Sequence, residues 1–152
     1  MKRQNLVIKQ VEQKMKVFKE LKSIVIPDEG WVKSIRTALK ITLKQLGKKL
    51  NITPQSVREI EQREKSGAIS LNILRKFGEA LDMKLVYGFI PKHQTLNEII
   101  NQRAYEVAKT IVMRTSKTME LEDQKVKNEQ LEKAIEAKQE EIVREMPKYL
   151  WD

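Results

Sequence analysis

Apolar residues recur at three- and four-residue intervals along most of this chain, and the polar interruptions divide it into helices. Leu6, Val7, Val11, Met15, Phe18 and Leu21 are separated by Lys and Gln, which predicts an amphipathic helix over residues 4–22. Pro27-Asp-Glu-Gly30 ends that segment. Trp31, Ile35, Ala38 and Leu39 share one face of a short helix, and Thr42 caps the next, whose inward residues are Leu43, Leu46 and Leu50. Thr53 and Pro54 then supply an N-cap and the proline favoured at the first helical position, starting a third helix that runs to about Glu64. Ser70 caps a fourth, on which Leu71, Leu74, Phe77, Ala80 and Leu81 close over the same core.

After this bundle the period changes to two. Met83, Leu85, Tyr87 and Phe89 alternate within a stretch rich in β-formers, predicting a short strand or extended arm over residues 84–91. A lone strand has no partner in the chain, so it either pairs with its copy across a two-fold axis or packs under the helices. Thr95 caps a long helix whose stripe contains Leu96, Ile99, Ile100, Ala104, Val107, Ala108, Ile111, Val112 and Met119. That stripe packs on the N-terminal helix or forms a seam between two copies. A polar break, Glu120 to Lys127, precedes a last helix over about 128–145, carrying Leu131, Ile135, Ile142 and Met146 near its end. The closing Tyr149-Leu150-Trp151 docks on the chain's own core or on a partner. The expected fold is all-α: a helix-turn-helix bundle with an N-terminal helix, one short β-strand arm and two C-terminal helices. Its divisions are 1–29, 30–83, 84–91 and 95–152.

Charge sharpens this picture. Residues 1–90 hold 19 basic and 9 acidic groups, whereas 91–152 hold 11 and 12, so the net charge of +9 resides in the first part. Between Trp31 and Arg58 stand Lys33, Arg36, Lys40, Lys44, Lys48, Lys49 and Arg58 without one Asp or Glu, a surface suited to a polyanion. Within it, Gly47 falls where two steeply crossing helices need a small side chain, and Asn51 falls in the turn, where a left-handed residue is required. Val57 and Ile60 turn the next helix's apolar face back on the first. This spacing describes a helix-turn-helix whose second helix enters the major groove of double-stranded DNA. Gln55, Ser56, Arg58 and Glu59 are then the base readers. Lys33, Arg36, Lys44, Gln45, Lys48, Lys49, Thr53 and Arg63 are the phosphate contacts. Because operators are read by two-fold dimers, a homodimer is expected, with Leu85, Tyr87, Phe89, Ile100, Val107, Ile111 and Trp151 at its interface or against a protein partner.

Other functions find little support. The chain has no cysteine, so disulfides and thiolate metal sites are excluded, and neither metal nor cofactor is expected. Its single histidine, His93, follows Pro91-Lys92 in a loop, which leaves no Ser-His, Cys-His or His-metal constellation and predicts a non-enzyme. The first residues lack the apolar core of a signal peptide, and no run approaches the length that spans a bilayer, so a cytoplasmic, membrane-free protein is expected. A basic amphipathic helix on an anionic membrane would account for residues 2–22 only.

The span from Trp31 through Ile60 resembles the lambda-repressor-like, Cro-type helix-turn-helix fold. The wider frame, Gly30-Trp-Val-Lys-Ser-Ile-Arg36, Leu81-Asp-Met-Lys-Leu-Val-Tyr87-Gly-Phe-Ile-Pro91, Met119-Glu-Leu-Glu-Asp-Gln124 and Leu150-Trp-Asp152, is similar to the family called mobile mystery protein A. Members are helix-turn-helix proteins of bacterial mobile elements, commonly encoded beside a Fic-domain protein in a layout similar to toxin and antitoxin pairs. The resemblance implies an autoregulatory, antitoxin-like transcriptional regulator with a Fic-domain protein as a partner. The alternative is a partner-binding module in which the helix-turn-helix is mainly scaffold. Cro-type motifs often begin with Gln where Leu43 stands, so Lys44 or Gln45 takes over that phosphate. Fic-inhibiting helices carry Ser or Thr, three residues, then Glu followed by Gly or Asn. Here Ser116 to Glu120 is followed by Leu121, and Thr118 to Glu122 by Asp123, so inhibition by an inserted glutamate is not implied.

Overall fold

The computed structural model describes residues 2–92, 95–116 and 124–152. Within them lie helices α1 (Lys2–Met15), α2 (Trp31–Ala38), α3 (Leu43–Leu50), α4 (Pro54–Ser66), α5 (Leu71–Ala80), α6 (Leu96–Ser116) and α7 (Gln124–Glu145), with 3-10 segments at Lys16–Ser23 and Lys148–Trp151. The chain forms two compact units, one of residues 20–88 and one of residues 1–19 with 89–152. His93 and residues 117–123, which include Met119 and the Glu120 and Glu122 spacings, lie outside the described residues.

In the first unit α2 to α5 surround Val32, Leu46, Val57, Phe77 and Leu81, all buried, with Ile35, Leu43, Leu50, Ile60 and Leu74 packed around them. Burying side chains of this size contributes about 1.5–3 kcal/mol each. Helix starts are set by the residues at their caps. Thr42 accepts the Gln45 amide at 3.1 Å while the Gln45 side chain accepts the Thr42 amide at 2.8 Å, a reciprocal capping box. Thr53 and Ser70 cap α4 and α5 through the amides of Ser56 and Ile73. The turn between α3 and α4 closes over Asn51, which is left-handed at φ 58°, and the Ile52 amide reaches back to the Gly47 carbonyl at 2.9 Å. A Cβ at Gly47 would come within 2.7 Å of the Ile52 carbonyl oxygen, so only glycine permits this close return.

No strand forms among the described residues, which corrects the expected β-strand arm over 84–91. The segment begins on a helix end: the Met83 amide donates to the Gly78 carbonyl at 2.7 Å, just after the left-handed Asp82. Alternation of Leu85, Tyr87 and Phe89 gives a chain that could line a sheet, but a ladder needs a second extended segment, and none is described. Leu85 is half-buried, whereas Tyr87 and Phe89 are exposed, and the Arg75 guanidinium lies 5.7 Å from the Tyr87 ring centroid.

The second unit pairs α6 with α7. Ala104 and Ala108 are fully covered on α6, and their small side chains let Ile135 and Ile142 of α7 approach closely. Ile8 of α1 and Leu150 of the terminal 3-10 segment complete this core. Helix α1 also supplies a cap, since the Glu12 carboxylate accepts the Leu96 amide at the start of α6 at 2.8 Å. The expected helix over 4–22 is α-helical to Met15 and continues as 3-10 to Ser23. Ile100 is buried inside this unit, and Val107 and Ile111 are half-buried against the same core. The stripe of α6 is therefore covered by the chain's own α7, α1 and terminal 3-10 segment, which removes Ile100 from the interface expected between copies. At the tail Leu150 docks, with its carbonyl held by Arg103 Nε at 2.8 Å, while Trp151 remains exposed.

Candidate nucleic-acid interface

Helix α4 turns Val57 and Glu61 inward, with Ile60 and Glu64 half-buried beside them. At 100° per residue that orientation puts Gln55, Glu59 and Gln62 at the centre of the outward face, with Arg58 and Lys65 along one flank and Ser56 and Arg63 along the other. Gln55, Arg58, Glu59, Gln62 and Arg63 are all exposed. Gln55, Arg58 and Glu59 make no side-chain hydrogen bond or ion pair within the described residues, which leaves them free to meet a ligand. Ser56 differs: its hydroxyl is half-buried, 2.8 Å from the Thr53 hydroxyl, so it serves the helix start as much as any reading surface.

The acidic residues of α4 are mostly withdrawn from this face. Glu61, 4% exposed, faces the Arg36 guanidinium, with Oε1 2.5 Å from Nε and Oε2 3.2 Å from Nη2. Glu64 accepts the Trp31 and Val32 amides at 2.7 and 3.0 Å, capping α2 from a distance in sequence. Glu59 alone of the three carboxylates on α4 points outward.

Arg36 leaves the set of phosphate contacts. It is 9% exposed, and its third donor, Nη1, bonds the Ile41 carbonyl at 2.9 Å, while the Ile41 amide returns to the Arg36 carbonyl at 2.9 Å. One side chain thus fastens the end of α2, the connection to α3 and the middle of α4. A buried guanidinium is retained only where each donor finds an acceptor, and no buried side-chain nitrogen or oxygen among the described residues is unpartnered.

The remaining expected phosphate contacts are near the reading helix. Lys44, Lys48 and Lys49 are exposed on α3, the first two one turn apart, and Lys40 precedes them in a left-handed conformation at φ 56°. Gln45 spends its carbonyl oxygen on the cap and keeps its amide nitrogen for a ligand. Thr53 caps α4 by accepting the Ser56 amide on its hydroxyl and the Val57 amide on its carbonyl, and Pro54 carries no N–H. Lys33 is engaged: its ammonium lies 2.5 Å from Glu29, which also holds Lys65 at 2.8 Å. Hydrogen bonds from Lys33 and then Lys65 lower the exposed Glu29 carboxyl from 4.5 to about 2.

Lys65 escaped the sequence reading, and Gln62, outward by its spacing, was not counted among the contacts. Gln62 repeats Gln55 at seven residues and Lys65 repeats Arg58 at seven, a spacing that returns to the same line on a helix. That periodicity was sufficient to find them.

A helix-turn-helix family model matches residues 32–87. Those residues are a helix-turn-helix domain. The match supports a DNA-binding regulator of the helix-turn-helix type and leaves the second unit outside the matched span. No curated protein and no solved structure matches the chain. Within the matched span α3, with its exposed lysines, and α4 are the two helices joined by the turn at Asn51. No described helix is long and apolar enough to cross a membrane.

Proposed function

We propose that the helix-turn-helix domain reads a specific DNA sequence through the outward face of α4, as a transcriptional regulator and not as an enzyme. One observation carries this reading: Gln55, Arg58 and Glu59 are exposed and uncommitted, while Glu61 and Glu64 on the same helix are consumed inside the domain. The helix therefore offers hydrogen-bonding groups to base edges with little repulsion of the flanking phosphates. Arg58 suits guanine, Gln55 adenine and Glu59 the amino group of cytosine. Lys44, Lys48, Lys49 and the Gln45 amide hold the backbone on either side.

Arg58→Ala should cost about 1–3 kcal/mol on the preferred duplex and relax its sequence preference, while Lys48→Ala should weaken all duplexes alike and lower the salt slope by about one. Equal losses from both substitutions on preferred and random DNA would remove the base-reading role.

The exposed aromatics Tyr87 and Phe89, 58% and 82% accessible, supply apolar surface for a homodimer on a dyad-symmetric site. Analytical ultracentrifugation of wild type against Tyr87→Ser/Phe89→Ser tests this, and a monomer at all concentrations refutes it. An autoregulatory, antitoxin-like role beside a Fic-domain protein is supported by the frame that resembles mobile mystery protein A. It predicts that the preferred duplex lies upstream of the gene itself.

A further inference from the structure

Two ammonium groups from distant parts of the helix-turn-helix domain converge on one carboxylate. Lys33, in the first turn of α2, meets Glu29 Oε2 at 2.5 Å, and Lys65, in the last turn of α4, meets Glu29 Oε1 at 2.8 Å. All three side chains are about half accessible. They line a groove of about 330 Å³ together with Arg58 and Gln62 of the reading face. Lys65 and Arg58 stand two turns apart on one flank of α4, so the lysine pair lies beside the path that a DNA strand takes past the reading helix.

The two lysines each bind a different oxygen of a single negative group. A phosphodiester presents the same valence, two non-bridging oxygens sharing one charge. We propose that Lys33 and Lys65 form a phosphodiester-binding site at the edge of the α4 groove, and that Glu29 occupies it in the free protein. This rests on the DNA-binding reading and extends it. The carboxylate is a built-in competitor: every phosphate that enters the site must displace it, so two cations contribute about one effective charge to DNA binding. Glu29 holds the Lys65 ammonium above its ordinary value, with a small contribution from Asp28, as expected of a pair already matched. Such an occupant weakens binding to all sequences equally and leaves discrimination to Gln55, Arg58 and Glu59.

The test is Glu29→Gln in the full chain, compared with wild type by fluorescence anisotropy on a preferred and a scrambled duplex across a salt series. Freeing one effective cation should steepen the slope of log K against log salt by about 0.9 and raise affinity about eightfold at 0.1 M salt, to the same extent on both duplexes. Adding Lys33→Ala and Lys65→Ala to Glu29→Gln should abolish the gain. Circular dichroism establishes that each variant is folded, and Glu29→Ala provides a second removal of the carboxylate with the same expected gain. Wild-type binding with an unchanged slope and affinity in both Glu29 variants overturns the site and leaves the DNA-binding reading standing. Absence of binding by every form overturns both. A gain confined to the preferred duplex also contradicts the proposal, since a phosphate contact carries no sequence information.

Discussion

The ion pair between Arg36 and Glu61 lends itself to a quantitative test, because both groups are buried and each is fastened at several atoms. Glu61→Leu would leave a guanidinium without its counter-ion inside the domain, and Arg36→Met would leave an unpaired carboxylate. Removing one partner of such a pair costs about 3–5 kcal/mol, against a total of about 5–15 kcal/mol for a small domain. Replacing both residues removes the desolvated charges together, which is neutral or stabilising by about 1–4 kcal/mol in comparable sites. Here the Ile41 carbonyl also loses its donor, offsetting about 1 kcal/mol of that. The double variant should therefore lie between about 1 kcal/mol below and about 3 kcal/mol above wild type, while the two single losses add to about 6–10 kcal/mol. Urea unfolding measures this if the two units are separated. Trp31 lies in the unit of residues 20–88 and Trp151 in the other, so tryptophan fluorescence in a Trp151→Phe background reports on the first unit alone. Single losses below about 1 kcal/mol, or losses that simply add in the double variant, would refute the reasoning.

Other substitutions probe the turn, the second unit and the surface network. Gly47→Ala should lower domain stability by about 1–3 kcal/mol in the same urea assay, because its Cβ would force back the Ile52 carbonyl. Leu150→Ala should cost the second unit about 2–5 kcal/mol, read by unfolding followed at 222 nm, since Leu150 is fully buried. Glu29 has a carboxyl lowered from 4.5 to about 2 on folding, so its stabilising effect is complete above pH 4.5 and is lost as pH falls through about 2. Wild type should consequently exceed Glu29→Gln in thermal midpoint at pH 6, and the difference should vanish near pH 2.

Local geometry was legible in the sequence wherever a backbone demand selects the residue. Thr42, Thr53 and Ser70 appear as caps because their hydroxyls satisfy amides three residues on, and Asn51 and Gly47 mark the turn because few residues fit there. Side-chain partners far apart along the chain were not legible. Arg36 reads as one more cation in a basic window until Glu61, 25 residues away, is placed against it. Glu64 on the Trp31 amide and Lys65 on Glu29 are hidden for the same reason, at separations of 33 and 36. The apolar stripe of α6 shows that Ile100 must be covered without saying by what, and residues of α1, α7 and the terminal 3-10 segment share its core. Alternation at 83–89 likewise says nothing of a partner strand, and of its apolar set only Leu85 is even half-buried.

Sequence-specific recognition by α4 is tested most directly by selecting duplexes from a random pool with the full chain, then titrating the selected and a scrambled duplex by fluorescence anisotropy at several salt concentrations. A single enriched motif, bound about 10³-fold or more tightly than the scrambled duplex, with affinity falling steeply in salt, is the predicted result. No enrichment, or equal binding to both duplexes, would contradict it.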